Sequence, residues 1–476
     1  MKMLINGQLS DSAGGKEFEI INPANGKPVD CVPLGDREDV RRAIDAAGEA
    51  AGKWSSMTAR ERGKILFKAA EITRARVQDL ATMLTTEQGK PFREARDEIQ
   101  GYANILEFNA SIAGSLRSGL VPVAHERYGV TMRKPIGICG AIIPWNVPAI
   151  IMGWKVGPAL LAGNTMVLKP SKTAPLTCLY LGSILKEAGL PDGALNIVTG
   201  PGDTVGDEIV RNPRIRKISF TGQTSSGKRI AEAAAASLKR VTLELGGSDP
   251  MIVCDDADLK AAADGAVRGR FYNGGQTCTS VKRLYVFESV ADQYIEMLRE
   301  RVAALKVGNG MDKGTDIGPL NNLQQLDRIK TAVQTVKDRG EGKILVGGDV
   351  PKGPEFDHGF FFRPTLVTDV REDSVLLKEE IFGPVLPVMV VKDLDEAIAK
   401  ANDTPYGLGS SIWTTNIGRA MIACERLESG ITWVNNHVRI PPEMPFGGVK
   451  DSGLGRENGL EAIEQYTEIK SVLLNP

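Results

Sequence analysis

The segment richest in chemical potential is Phe271-Tyr272-Asn273-Gly274-Gly275-Gln276-Thr277-Cys278-Thr279. A cysteine in apolar surroundings is usually inert packing, and that reading covers most of the six here (Cys31, Cys139, Cys178, Cys254, Cys278, Cys424). Cys278 differs, because glycines, a glutamine and two threonines make its loop polar and flexible, behind a helix that could deliver it into a cleft. A thiol attacks a carbonyl as the thiolate, so a base or a positive field must stand nearby. Only three histidines are present, far apart (His125, His358, His437), which leaves a carboxylate as the proton acceptor to look for. Glu244 lies within the apolar run 241–245, ahead of Gly246-Gly247, and burial there would push its pKa toward a useful general-base range. A carboxylate solvated at a strand end is the plainer alternative. Asn146, in Ile143-Pro144-Trp145-Asn146-Val147-Pro148, offers amide N–H groups to an oxyanion, although turn chemistry explains an asparagine between prolines equally well.

A second group of residues suits phosphate. Gly200-Pro-Gly202-Asp-Thr-Val-Gly206 follows an apolar run and opens a helical pattern. Its form is GxGxxxG, one residue longer than the dinucleotide fingerprint, so a strand-to-helix turn needing glycine accounts for it as well as a ligand does. Phe220-Thr221-Gly222-Gln-Thr-Ser-Ser-Gly227 repeats the arrangement. Unpaired N–H groups at helix starts attract phosphate, and Lys169, ending a strand before Pro170, can reach a ligand rather than the core. Two glycine turns and a lysine together favour a bound nucleotide.

Positioning such groups takes alternating strands and helices. Residues 138–143, 165–168, 195–198, 217–220 and 241–245 read as strands, with helices at 174–188, 204–211 and 225–237 between several of them. That rhythm predicts βαβ units on a parallel sheet, with ligands at the carboxyl ends of its strands. It restarts with strand 251–253, helix 259–272, strand 283–287 and helix 291–305, followed by strand 381–391, helix 394–402 and strands near 410–413 and 431–435. The first stretch of the chain reads as helices, with Thr58 and Glu61 at capping-box spacing and Gly89 and Pro91 as stops. Residues 128–134 alternate like a solvated strand.

Composition bounds the rest. A chain of 476 residues needs two or three domains, and 42% hydrophobic with 25% charged residues is ordinary globular usage. Fifty-eight basic against 59 acidic residues leave a net charge of −1, which provides no field for nucleic acid or an anionic membrane. No apolar run reaches the ~18–20 residues that span a bilayer, and the first residues turn polar too soon for a signal peptide. Scattered cysteines without CxxC spacing fit a reducing, cytoplasmic compartment, and the scarcity of histidine argues against a metal site.

These segments together resemble the aldehyde dehydrogenase superfamily over nearly the whole chain. Its motifs occur in the family's order: Pro144-Trp145-Asn146, Lys169-Pro170-Ser171, Phe220-Thr221-Gly222, Glu244-Leu245-Gly246-Gly247, Gly275-Gln276-Thr277-Cys278, Glu379-Glu380-Ile381-Phe382-Gly383-Pro384 and Pro445-Phe446-Gly447-Gly448. The resemblance implies that Cys278 is the nucleophile, Glu244 the base for the thiol or the hydrolytic water, and Asn146 with the Cys278 N–H the oxyanion hole. Lys169 would touch the adenosine ribose, with Trp145, Ser171, Gly202, Gly206, Phe220, Thr221 and Gly222 also on the cofactor. Glu380 and Phe382 would position the nicotinamide ribose and ring. The implied fold is α/β in three parts: a Rossmann-like cofactor domain (1–120 and 136–246), an α/β catalytic domain (247–450) and a β-hairpin oligomerisation element (121–135 and 461–476). That hairpin, built from 128–134 and the tail 469–474, would serve a homodimer or homotetramer. The implied reaction passes through a thiohemiacetal and a thioester on Cys278, and the glutamate favours hydrolysis to the free acid over transfer to CoA.

Departures from the family pattern bear on specificity. Many NAD-using members carry a glutamate just after Lys-Pro-Ser/Ala, and here that position is Lys172. Exchanging a carboxylate for a cation suits a 2′-phosphate, which points to NADP, with NAD also usable. Gln223 replaces a serine common in the family, a change with no explanation in the sequence. The substrate pocket implied by the resemblance comprises Val147, Ile151, Trp154, Tyr272, Thr277, Thr279 and Phe446. Trp154 stands where some succinate-semialdehyde relatives have a carboxylate-binding arginine. Aromatic and small polar walls suit a small aliphatic or hydroxylated aldehyde. Arg439, in the anchor loop, holds the carboxylate of a semialdehyde in an alternative reading, or is simply a solvated loop arginine. A cysteine-dependent esterase is the rival reaction class.

Overall fold

Two sheets carry the architecture. In the computed structural model, which describes residues 1–115, 118–124 and 127–474, the first has eight strands. Five of them run parallel, in the spatial order Arg240–Glu244, Ile215–Thr221, Ile138–Ile142, Thr165–Lys169 and Leu195–Ile197. All five coincide with predicted strands to within a few residues. Thr165–Lys169 is buried along its whole length, as a strand covered by helices on both faces must be. The parallel part of the sheet starts in the middle at Ile138–Ile142, fills one side, then returns to fill the other. The reversal leaves a crevice between Ile138–Ile142 and Ile215–Thr221 at their carboxyl ends.

The second sheet has seven strands, ordered Lys343–Val346, Thr365–Thr368, Val385–Val391, Val281–Phe287, Asp249–Val253, Gly409–Trp413 and Ile431–Val434. Only the first pair is antiparallel. The strand expected at 381–391 begins only at Val385, because Ile381 and Gly383 spend their carbonyls on the buried guanidinium of Arg270. Residues 381–384 are thereby freed to form a loop.

The amino-terminal reading needs correction. Four short strands (Met3–Ile5, Gln8–Ser10, Glu17–Ile21, Pro28–Pro33) precede the helices. Met3–Ile5 pairs with Leu195–Ile197 on the far edge of the first sheet, a tertiary partner that no local pattern announces. Helices follow at Arg37–Ser56, Ala59–Ala75, Val77–Gln88 and Phe92–Ser111. The Thr58/Glu61 capping box is present, with Thr58 N donating to Glu61 Oε2 at 2.7 Å, and Gly89 closes its helix in the left-handed region (φ 104°). A third sheet joins Gly119–Ala124, Arg127–Pro135 and Thr467–Leu474, all antiparallel, with Ile469 opposite Arg133. The tail therefore adds to a hairpin whose other arm is Gly119–Ala124. His125 and residues 475–476 lie outside the described residues. Among the described residues no helix is long and apolar enough to cross a membrane.

One long-range contact fixes how the helices sit on the first sheet. The helix Leu176–Glu187 has no side-chain cap of its own. Buried Glu87, from the helix Val77–Gln88, accepts from Leu176 N (2.7 Å) and Thr177 N (2.9 Å) instead. Replacing Glu87 by Ala strands those donors in the core, so the urea midpoint should fall by the equivalent of ~2 kcal/mol. A change below about 0.5 kcal/mol, the level of an ordinary surface substitution, would show that the cap is dispensable.

Candidate active site

The crevice of the first sheet opens into a cleft of about 1730 Å³. Pro144, Trp145 and Asn146 line it from the end of Ile138–Ile142, and Thr221, Gly222 and Gln223 from the end of Ile215–Thr221. The opposite wall comes from the second sheet's side: Cys278, Glu380, Phe382 and the helix Leu323–Arg339.

Cys278 precedes the strand Val281–Phe287, so it approaches from the amino edge of the second sheet. Its loop turns sharply. Asn273, Gly274 and Gly275 have φ of 53°, 62° and 74°, three left-handed residues in succession. Gly275 is obligatory, since a Cβ there would stand 2.3 Å from the Gly383 carbonyl. Cys278 keeps some surface on the cleft, while the protein packed around it pushes the thiol up to about 12.

Asn146 sits 4% exposed, its Nδ2 donating to the Gln276 carbonyl at 3.1 Å. One amide N–H is thus used and the other is free, and Cys278 N–H donates to no described protein acceptor. Two donors therefore remain near the thiol. The backbone of Asn146 is held from below, where its carbonyl accepts from Lys90 Nζ (2.7 Å) and Asn273 Nδ2 (2.8 Å). Lys90 pairs with Glu98, both fully buried, and Glu98 accepts from Ala149 N at 2.8 Å. Asn273 is fixed in turn by Gln88 Nε2 on its Oδ1 (3.0 Å) and by Glu94 accepting its N–H (2.8 Å). Gln276 Oε1 takes Asn321 N at 2.9 Å.

Glu244, at the end of Arg240–Glu244, is 2% exposed, and neither carboxylate oxygen has a hydrogen-bond partner among the described residues. Burial, then the charge of Glu457, holds its pKa well above the usual carboxylate range, against Lys155 and Arg456. Lys155 and Glu457 form a buried ion pair of 2.7 Å nearby. The solvated alternative for Glu244 is therefore wrong: the strand is covered at this end. Glu380 docks on the turn after Glu244, accepting from Gly247 N at 3.1 Å, and a Cβ on Gly246 would strike its Oε2 at 2.3 Å.

The cofactor candidates fall into two groups. Trp145, Thr221, Gly222, Glu380 and Phe382 border the cleft, with the Trp145 and Phe382 rings edge to face at 5.6 Å. Lys169, Ser171, Lys172, Gly202 and Gly206 lie beyond that lining, at the ends of neighbouring strands. Burial, then the nearby Lys172 charge, lowers the Lys169 ammonium to about 8. Lys172 is exposed and stands 5.2 Å over the Phe18 ring. A Cβ on Gly202 would meet nothing within 4 Å, so the fold leaves open space there rather than demanding glycine for packing. Phe220 is 7% exposed and backs the turn. The helix Thr224–Ala235 begins at the cleft with no side-chain cap, and Thr221 Oγ1 is buried without a partner. Open space, uncapped N–H groups and an orphaned hydroxyl around a cleft this large fit a dinucleotide.

The pocket residues expected for substrate divide differently. Tyr272 is half-buried, Val147 is 8% exposed, Thr277 has an orphaned buried hydroxyl, and Trp154 packs at 5.0 Å on Phe446. Ile151 (0%), Phe446 (1%) and Thr279 (1%) have no surface to offer a ligand. They support the walls from behind, Ile151 because its helix face packs into the main core. Arg439 is exposed, and its side chain makes no hydrogen bond among the described residues. Val438 before it has φ of 73°, strained for a β-branched residue.

Several residues escaped the sequence reading: Lys90, Glu94, Glu98, Lys282 and the helix Leu323–Arg339, while Asn273 was noted without a role. One signal was available, since Lys282-Arg283 interrupts an otherwise apolar strand, Val281–Phe287, that is buried throughout. Gly89-Lys90-Pro91 reads only as a helix stop until its tertiary partner is known.

The family model described as the aldehyde dehydrogenase family matches residues 9–472. An NADP-dependent enzyme of E. coli shares 39% identity and a TM-score of 0.97, covering 100% of this chain and 98% of that one. A putative aldehyde dehydrogenase from Burkholderia cenocepacia shares 39% identity and a TM-score of 0.98, covering 100% and 97%. PnpE from Pseudomonas sp. WBC-3 shares 37% identity and a TM-score of 0.98, covering 100% and 97%, and PnpE has also been solved in complex with nicotinamide adenine dinucleotide. A match of this length, with neighbours that share the whole fold, places the chain in the aldehyde dehydrogenase family as an NAD(P)-dependent oxidoreductase that converts aldehydes to carboxylic acids.

Proposed function

We propose that the protein oxidises a small aliphatic or hydroxylated aldehyde with NADP in preference to NAD, through covalent adducts on Cys278. The observation that carries this reading is the convergence of one thiol and two unused N–H donors on a dinucleotide-sized cleft, with the buried carboxylate of Glu244 next to the lining residues Leu245 and Gly246. The Cys278 thiolate adds to the aldehyde carbon, and the oxygen takes its charge toward the second N–H of Asn146 and the N–H of Cys278. Glu380 and Phe382 would hold the nicotinamide, which when bound would supply the two-electron acceptor needed to take the thiohemiacetal on Cys278 to a thioester. Glu244 then removes a proton from water, which attacks the thioester carbon and releases the acid and the free thiol. The balance is aldehyde, water and NADP⁺ to acid, NADPH and a proton.

Substrate size is read from Trp154, which Phe446 backs from behind with ring centroids 5.0 Å apart. The NADP reading rests on two neighbouring cations, Lys169 and Lys172, and on the absence of a carboxylate from residues 169–173. A semialdehyde held by Arg439 is the second reading, favoured by that exposed guanidinium, which has no partner among the described residues. We assign residues 1–120 and 136–246 to the cofactor domain, 247–450 to the catalytic domain, and 121–135 with 461–476 to an oligomerisation element of a homodimer or homotetramer. The short strand Gly453–Leu454, paired with Arg240–Glu244, ties the carboxyl-terminal segment back to the first sheet. Six unpaired cysteines support a cytoplasmic setting.

Initial rates of absorbance at 340 nm, with lactaldehyde, glyceraldehyde, propanal, benzaldehyde and succinate semialdehyde, test the reading directly. Lys172→Glu should move the NADP/NAD ratio of kcat/KM toward NAD by at least about tenfold, the worth of one charged contact; an unchanged ratio sinks the Lys172 argument. Cys278→Ala should abolish NADPH formation. Glu244→Gln should release one equivalent of NADPH and then slow steady turnover by ~10²–10⁴; near-normal turnover would remove Glu244 from the mechanism. Burial favours the neutral carboxyl of Glu244, so its base form grows as pH rises. Deacylation in the native enzyme should accelerate from pH 6 to 9, and a flat profile in single-turnover decay of the thioester counts against it.

A further inference from the structure

Behind the nucleophile lies a buried cation that the mechanism above does not use. Lys282 is 1% exposed, on the strand Val281–Phe287. Its ammonium has three protons and three acceptors: the carbonyls of Thr277 (3.1 Å) and Cys278 (2.6 Å), and Glu380 Oε1 (3.2 Å). It also stands 5.7 Å from the centre of the Phe382 ring. One side chain therefore joins the nucleophile loop to the segment proposed to hold the nicotinamide ribose and ring.

We propose that Lys282 is a positioning residue that clamps the Cys278 loop to Glu380 and Phe382 and sets a positive field behind the thiol. The proposal rests on Cys278 being the nucleophile. Among the described residues, Lys282 is the cation that acts most strongly on Cys278. Asp249 on the adjacent strand, Glu380 from the cleft loop and Glu244 from the first sheet are all acids that oppose thiolate formation, and burial opposes it most. His437, which meets the Thr279 carbonyl at 2.8 Å, is kept neutral by burial, which lowers its pKa to about 4. Among the described residues, no imidazolium partners the thiolate in this pocket. Glu380 partly neutralises Lys282, so the two residues should act on the thiol with opposite sign.

That opposition separates a field from a merely structural role. Iodoacetamide alkylation of the full-length protein, read by mass spectrometry on the Cys278 peptide between pH 7 and 9, gives second-order rate constants, with exposed Cys31 and Cys424 as internal standards. A tenfold loss of thiolate slows alkylation by about threefold, because a more basic thiolate is also the better nucleophile. Lys282→Met should slow Cys278 by at least about threefold at each pH. Glu380→Gln should speed it by a similar factor, and the double variant should return near the native rate. An unchanged rate in Lys282→Met, or slowing in both single variants, overturns the proposal while leaving Cys278 as the nucleophile. Native protein whose Cys278 does not react, yet which oxidises aldehydes, overturns both readings.

Discussion

The carbonyl oxygen of Asn146 is the point on which the site depends. Asn146, the proposed oxyanion donor, comes from the carboxyl end of one sheet and the thiol from the amino edge of another, so no regular hydrogen-bond ladder joins them. What joins them is a buried knot. Lys90 and Asn273 both donate to that carbonyl, Asn273 also donates to Gln276 O at 3.2 Å, and the Asn146 side chain donates to the same Gln276 oxygen. Buried polar groups of this kind are costly unless every member is satisfied, and here Glu98, Glu94, Gln88 and Asn321 complete the set. The result is a fixed spacing between two elements of separate origin.

Against that background of satisfied groups, the unsatisfied ones are informative. Both oxygens of Glu244, the Oδ1 of Asn146 and the hydroxyls of Thr221 and Thr277 are buried with no partner. These five atoms belong to segments that border the cleft or the Cys278 loop, whereas other unpaired atoms, such as Trp54 Nε1 and Tyr294 Oη, lie in the core elsewhere. Rigid support beneath and free polar atoms above is the arrangement that lets charge develop without reorganising the protein. The desolvation that makes Glu244 costly to bury is also what raises its pKa toward the range of a base.

The same economy appears in the backbone. Gly275 and Gly246 are close-approach positions, one against Gly383 and the other against Glu380, whereas Gly202 faces open space. Glycines with the same look in the sequence thus occupy two settings, one packed against the protein's own atoms and one beside open space. Spacing alone does not separate the two.

Much of the parallel sheet was legible, because apolar runs alternating with helical periods have few other ways to bury both faces. The candidates Cys278, Glu244 and Asn146 could be singled out as well, because each differs in type from the residues around it, while the roles proposed for them came from the family resemblance. Tertiary structure alone decided what lies between them. Lys90 meets Asn146 across 56 residues and Gln88 meets Asn273 across 185, so neither pairing leaves a local trace. The amino-terminal strands were missed for the same reason, Met3–Ile5 being a strand only because Leu195–Ile197 waits beside it. Ile151 and Phe446 show the converse, with types suited to a pocket wall and positions turned into the core. Residue type records which chemistry is available; burial and long-range hydrogen bonding, which depend on where the chain returns to itself, decide which side chains can reach the cleft.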